Sequence, residues 1–91
     1  MNDESDAHAV RLRRLKFRAW HRGMREMDLI FGRFADARLA ELDEADLAAF
    51  EALLDEQDKD IFSWYCGEVS VPPHYDTPLF AKLRAFPVHR M

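Results

Sequence analysis

One glycine, Gly23, separates two stretches whose apolar residues recur at helical spacing. Upstream, Val10, Leu12, Leu15, Phe17 and Ala19 stand among basic residues in an imperfect repeat that runs to Trp20. Downstream, Met27, Ile30, Phe31, Phe34 and Arg38 step by three and four, and Leu29 and Ala35 broaden the stripe. That step gives a helix one wide apolar face. Glycine costs about 1 kcal/mol in a helix interior and little at a helix end. Gly23 therefore reads as the corner between a helix from about Ala9 to Trp20 and a second from about Met24 to Leu39. No stretch alternates with period two for long enough to form a strand, so the partners of these helices must themselves be helices.

Three more helices have legible ends. Asp43-Glu44-Ala45-Asp46 carries an acid at the cap and another three residues on, ahead of Leu47, Phe50, Leu53 and Leu54 on one face. Asp58 reads as the cap of a fourth helix holding Ile61, Phe62, Trp64 and Tyr65, with Gly67 at its end. Val69 to Asp76 reads as a loop held open by Pro72-Pro73. Thr77-Pro78 is a cap followed by proline at the first helical position, opening a fifth helix with Leu79, Phe80, Leu83 and Phe86 that Pro87 stops. The prediction is an all-α, compact five-helix bundle in a single domain. Residues 1–8 read as a flexible polar tail, 9–87 as the helical domain and 88–91 as a C-terminal tail.

A chain of 91 residues buries about 60–65% of its unfolded surface, enough for one modest core. The single cysteine, Cys66, excludes an internal disulfide and suits a reducing compartment. The opening Met1-Asn2-Asp3-Glu4-Ser5-Asp6 is acidic where a secretory or mitochondrial leader is basic, so a cytoplasmic location is expected. No apolar run is long enough to insert into a membrane. The net charge of −4 conceals a dipole along the chain. Residues 11–25 hold seven cations and no acid, whereas residues 36–60 hold ten acids against Arg38 and Lys59. Such blocks either steer a complementary partner or attract each other within the fold.

Catalytic chemistry finds little to work with. His8, His21, His74 and His89 lack neighbours at metal-ligand spacing and read as surface residues. Cys66, beside Trp64 and Tyr65, reads as buried packing rather than a nucleophile. Gly23, Gly32 and Gly67 are scattered, so there is neither a dinucleotide fingerprint nor a P-loop, and no catalytic residue, metal or self-bound cofactor is expected. The basic first helix leaves open a nucleic-acid-binding or regulatory helical module, against which stand the overall acidity and the acidic third helix.

The corner itself has two readings. With Gly23 as N-cap, Glu26 is the third helical residue and can reach back to the cap's N–H, a complete structural account. Arginine and methionine are also enriched at binding surfaces, and Met24 and Met27 sit among Arg22, Arg25, Glu26 and Asp28.

The residues Leu15-x-Phe17-Arg18-Ala19-Trp20-His21-Arg22-Gly23-Met24-Arg25-Glu26-Met27-Asp28 resemble the first corner of the SdhE-type flavinylation factors, the succinate dehydrogenase assembly proteins of bacteria and mitochondria. Phe31-Gly32-Arg33-Phe34-Ala35 is similar to the family's second helix, and Leu54-Asp55-x-x-Asp58-x-Asp60-Ile61-Phe62-x-Trp64 to its acidic turn and aromatic helix. The resemblance spans about residues 12–66. It implies a five-helix bundle that does no chemistry of its own. Such a bundle is expected to bind the flavoprotein subunit of succinate dehydrogenase, or of fumarate reductase, and to favour covalent attachment of FAD to a histidine of that subunit. The implied partner-binding residues are Arg22, Gly23, Met24, Arg25, Glu26 and Asp28. The chain is expected to be a monomer when free. Trp64 also matches a family position and is as readily explained by the core.

Overall fold

The computed structural model describes residues 3–87, with side chains from Asp6 onward. The 88–91 tail and His89 lie outside the described residues. Among the described residues run five α-helices and two 3₁₀ turns, with no strand. The helices are α1 (Asp3–Trp20), α2 (Arg25–Arg38), α3 (Glu44–Leu54), α4 (Asp58–Cys66) and α5 (Pro78–Ala85). The 3₁₀ turns, Leu39–Glu41 and Pro73–Tyr75, follow α2 and break the long loop before α5. The all-α bundle is as the periodicity predicts.

Three helix starts differ from expectation, that of α2 being described with the corner below. The 1–8 segment, expected as a tail, is helical from Asp3 onward. No glycine or proline interrupts residues 3–20, and acidic residues are favoured at the positive end of a helix. The cap of α4 is Gln57 and not Asp58, because the Asp58 carboxylate is engaged by Arg22 instead. The caps of α3 and α5 and the end of α4 are as read. Asp43 Oδ1 accepts from the Asp46 N–H at 2.9 Å, and Thr77 Oγ1 accepts from the Phe80 N–H at 3.2 Å with Pro78 behind it. Gly67 closes α4.

The core is one cluster to which every helix contributes. Leu15 and Ala19 of α1 meet Met27, Phe31, Phe34 and Ala35 of α2, and Leu47, Phe50 and Leu53 of α3. Ile61 and Trp64 close it from α4; Leu79, Phe80 and Leu83 close it from α5. Phe50 lies against both Phe31 and Phe34, with ring centroids 5.5 and 5.9 Å apart. Offset and tilted ring pairs of this kind add to the burial of apolar area. Trp64 is therefore core, and Met27, fully buried, is core as well.

Three placements need a physical account. Gly32, inside α2, faces the Trp20 indole so closely that a Cβ there would lie 2.2 Å from Trp20 Cδ2. The glycine lets α1 and α2 close on each other, while the indole Nε1–H donates to Asp36 Oδ2 at 3.2 Å. Cys66 is exposed, contrary to expectation. The buried face of α4 carries Ile61 and Trp64, and two residues past Trp64 a helix has turned by about 200°, away from the core. Tyr75 stacks on Trp64 at 5.3 Å and donates to Glu56 Oε2 at 2.5 Å, which raises its hydroxyl above the usual tyrosine range. This pins the loop before α5 to the α3–α4 turn. Asp46 is buried at the start of α3 and accepts from Lys82 Nζ of α5 at 2.5 Å, a bond that raises the Lys82 ammonium above its ordinary pKa.

Candidate functional site

The α1–α2 corner is built around an arginine that points inward. The Arg22 side chain is only 7% exposed. Its Nε donates to Asp58 Oδ1 at 2.7 Å and a terminal nitrogen donates to the Glu56 carbonyl at 2.6 Å. The other terminal nitrogen donates to the Leu54 carbonyl. Its guanidinium carbon lies 5.4 Å from the Phe31 ring centre. One planar fork thus meets the Leu54 carbonyl at the end of α3, the Glu56 carbonyl of the α3–α4 turn and one acid at the start of α4. Arg22 ties the corner to the α3–α4 turn.

The capping arrangement differs from the one the spacing suggests. Met24, with φ −118° and ψ 121°, is the N-cap of α2 and makes no side-chain cap bond. Glu26 is then the second helical residue, exposed, and does not reach back. Asp28 does so instead. Its Oδ1 accepts from the Arg22 N–H at 2.6 Å and from the Gly23 N–H at 3.3 Å. Gly23 stands before the cap with φ +101°, a left-handed value that side chains oppose, and no atom lies within 4 Å of where its Cβ would be. Met24 is half-buried against the core. Arg22, Met24 and Asp28 therefore hold the corner's shape, while Gly23, Arg25 and Glu26 form its exposed face. Among the described residues neither Arg25 nor Glu26 has an ion-pair partner.

This division gives an expected result. Asp28→Ala removes a charged acceptor from two backbone N–H groups and should destabilise the fold by about 1–3 kcal/mol. Glu26→Gln should shift stability by under about 0.5 kcal/mol, as exposed substitutions do. Urea titrations of both variants check it, and equal losses would contradict the assignment.

The charge blocks meet inside the fold. Arg11 pairs with Glu44 at 2.8 Å and Glu51 at 2.9 Å, and Arg18 with Asp55 at 2.6 Å. Arg11 holds the Glu44 carboxyl below the usual carboxylate range. With Arg22 bound to Asp58, three of the seven cations of residues 11–25 answer to acids of the α3–α4 region. Beside the corner lies a shallow cleft lined by Arg18, His21, Arg22, Leu54, Glu56 and Asp58. Among the described residues no group of three or more His, Cys, Asp or Glu side chains could hold a metal ion. No helix among them is long and apolar enough to cross a membrane.

Residues 13–87 match the model of the family described as flavinator of succinate dehydrogenase. The chain belongs to this family. It is 35% identical over 78 residues to a protein of Acetobacter pasteurianus named FAD assembly factor SdhE, covering 86% of this chain and 72% of that one. A protein of Colwellia psychrerythraea with the same name is 34% identical over 67 residues, covering 72% of this chain and 74% of its own. Succinate dehydrogenase assembly factor 2, mitochondrial, of Dictyostelium discoideum is 34% identical over 76 residues, 84% of this chain and 53% of its own length. The chain thus spans about half of that mitochondrial relative. No solved structure matches the chain.

The family match runs past Trp64 to Pro87 and takes in the loop and α5 that the sequence resemblance left out. Within the Arg-Gly-x-x-Glu motif, the fold turns the arginine inward and the glycine and glutamate outward. Sequence reasoning missed Gly32 and Tyr75. Gly32 had a signal, since a glycine inside an apolar-periodic helix calls for a packing reason. Tyr75, in a proline-rich loop, had none.

Proposed function

We propose that this chain is an assembly factor that binds the flavoprotein subunit of succinate dehydrogenase and promotes its covalent flavinylation. The family match over residues 13–87 carries this reading. The exposed face of the corner, Gly23, Arg25 and Glu26, meets the partner, and Arg22, Met24 and Asp28 set its shape. A partner backbone can approach Gly23 closely, because no side chain stands there and the space beyond it is open. Arg25 and Glu26 offer a cation and an anion with no ion-pair partner to displace among the described residues.

The factor performs no bond-making step. It binds one conformer of the flavoprotein more tightly than the others and so raises that conformer's population. A 100-fold preference shifts such an equilibrium by about 2.7 kcal/mol. The conformer selected is the one in which the partner's histidine and flavin are aligned for reaction, so the gain is one of orientation. FAD stays with the partner. Gly23 turns a corner, Gly32 lies under Trp20 and Gly67 ends α4, so no glycine loop is left to cradle a pyrophosphate. A fumarate reductase flavoprotein presents the same chemistry and is a second partner. A protein partner is favoured over nucleic acid because three cations of the basic block are already bound to acids. The exposed, unpaired Cys66 fits the reducing cytoplasm, and the chain acts as a monomer until it meets its partner.

Deleting the gene in its host tests this reading. In-gel flavin fluorescence of the denatured flavoprotein subunit should fall to a small fraction of the parent strain's and return on complementation. Undiminished fluorescence in the deletion strain would overturn it.

A further inference from the structure

Among the described residues, the largest apolar side chain left in solvent lies on α1, outside the motif. Phe17 is 64% exposed. It is nonetheless held in place. Its ring stacks on His21, with centroids 4.0 Å apart and planes 18° from parallel. The His21 ring is fixed in turn, its Nδ1–H donating to the Phe17 carbonyl at 2.7 Å. An aromatic pair already ordered loses little freedom on binding, which is the property of an interface anchor.

Its surroundings name the kind of partner. Val10, Arg14 and Phe17 step by four and three, so they form one line on α1, which His21, just past its end, continues. The line is about 16 Å long and Arg13 flanks it. Arg13 and Arg14 are exposed and, among the described residues, have no ion-pair partner, unlike Arg11 and Arg18 on the α3-facing side. The line ends two residues before Gly23, so it continues the exposed face of the corner.

We infer that this outer line of α1, centred on Phe17, is the second half of the docking surface. It receives an acidic segment of the flavoprotein subunit that carries an apolar side chain. The inference rests on the proposed partner and adds a surface that the Arg-Gly-x-x-Glu motif does not include. Phe17 anchors the segment, and Arg13 and Arg14 attract its acids and speed association.

The test uses the full chain and purified flavoprotein subunit lacking covalent flavin. Phe17→Ala should weaken binding at least tenfold and leave the melting temperature unchanged, since little of the ring is buried. Arg13→Glu with Arg14→Glu should slow association and flatten its salt dependence between about 0.01 and 0.15 M, where the Debye length falls from about 30 to 8 Å. Wild-type affinity in the Phe17→Ala variant, with Glu26→Gln still impaired, would overturn the inference and leave the corner reading intact. A wild-type chain that does not bind the subunit would overturn both. Sedimentation with anionic phosphatidylglycerol vesicles completes the test. Phe17-dependent binding to vesicles, with subunit binding indifferent to Phe17, would assign the line to a lipid surface and refute the proposal.

Discussion

Arg22→Met should cost about 3–5 kcal/mol of folding stability. The substitution keeps an apolar stem and deletes the fork. Asp58, only 18% exposed, loses its ion pair, and the Leu54 and Glu56 carbonyls lose their donors. Breaking a largely buried charged pair from one side costs about this much, because the remaining charge is left without compensation. A domain of this size is stable by only about 5–15 kcal/mol in total. The melting temperature should fall by at least 10–20 °C, at about 4–8 °C per kcal/mol. Arg22→Lys should recover part of the loss. It keeps the charge, but one ammonium cannot meet three acceptors spread across a planar fork. A stable Arg22→Met variant that no longer supports flavinylation would reverse the assignment and place Arg22 at the partner interface.

Gly32→Ala should also destabilise the fold. Alanine normally gains about 1 kcal/mol over glycine inside a helix. Here its Cβ would fall 2.2–2.6 Å from three ring atoms of Trp20. The indole must swing away, giving up its packing on α2 and its bond to Asp36. Overpacking of this kind costs about 1–3 kcal/mol, so the net sign is destabilising. A double-mutant cycle with Trp20→Ala isolates the clash. Once the ring is gone, Gly32→Ala should become neutral or stabilising, a coupling of about 1–3 kcal/mol. Additive effects would mean that the helices do not rely on this close approach.

Much of the fold was legible because helices announce themselves locally. The stripe Met27, Ile30, Phe31, Phe34 is buried as its spacing requires, and Asp43 and Thr77 cap as their side chains allow. What escaped was long-range. Asp58 reads as a cap until Arg22, 36 residues away, takes its carboxylate. Gly23 and Glu26 read as a capping box until Asp28, outside that spacing, supplies the acceptor. Arg22 is implied as a partner-binding residue by the resemblance, and nothing nearby in sequence reveals the Leu54 and Glu56 carbonyls it meets. Phe17 shows the opposite error: it counts as apolar in the α1 pattern yet stands in solvent. The charge blocks were visible, but only the structure chose between their two readings. For Arg11, Arg18 and Arg22 it chose pairing within the fold, while Arg13 and Arg14 face outward.

The division of the motif into an inward arginine and an outward glutamate is the centre of this account, and Glu26→Gln tests it most directly. The variant should be expressed in the deletion strain, with in-gel flavin fluorescence of the denatured flavoprotein read beside the melting temperature of the purified protein. Removing one member of a charged pair at an interface costs about 2–5 kcal/mol, more than tenfold in affinity. Flavinylation should therefore fall while the melting temperature stays within about 2–4 °C of wild type. Normal flavinylation combined with a lowered melting temperature would contradict the account and make Glu26 a structural residue.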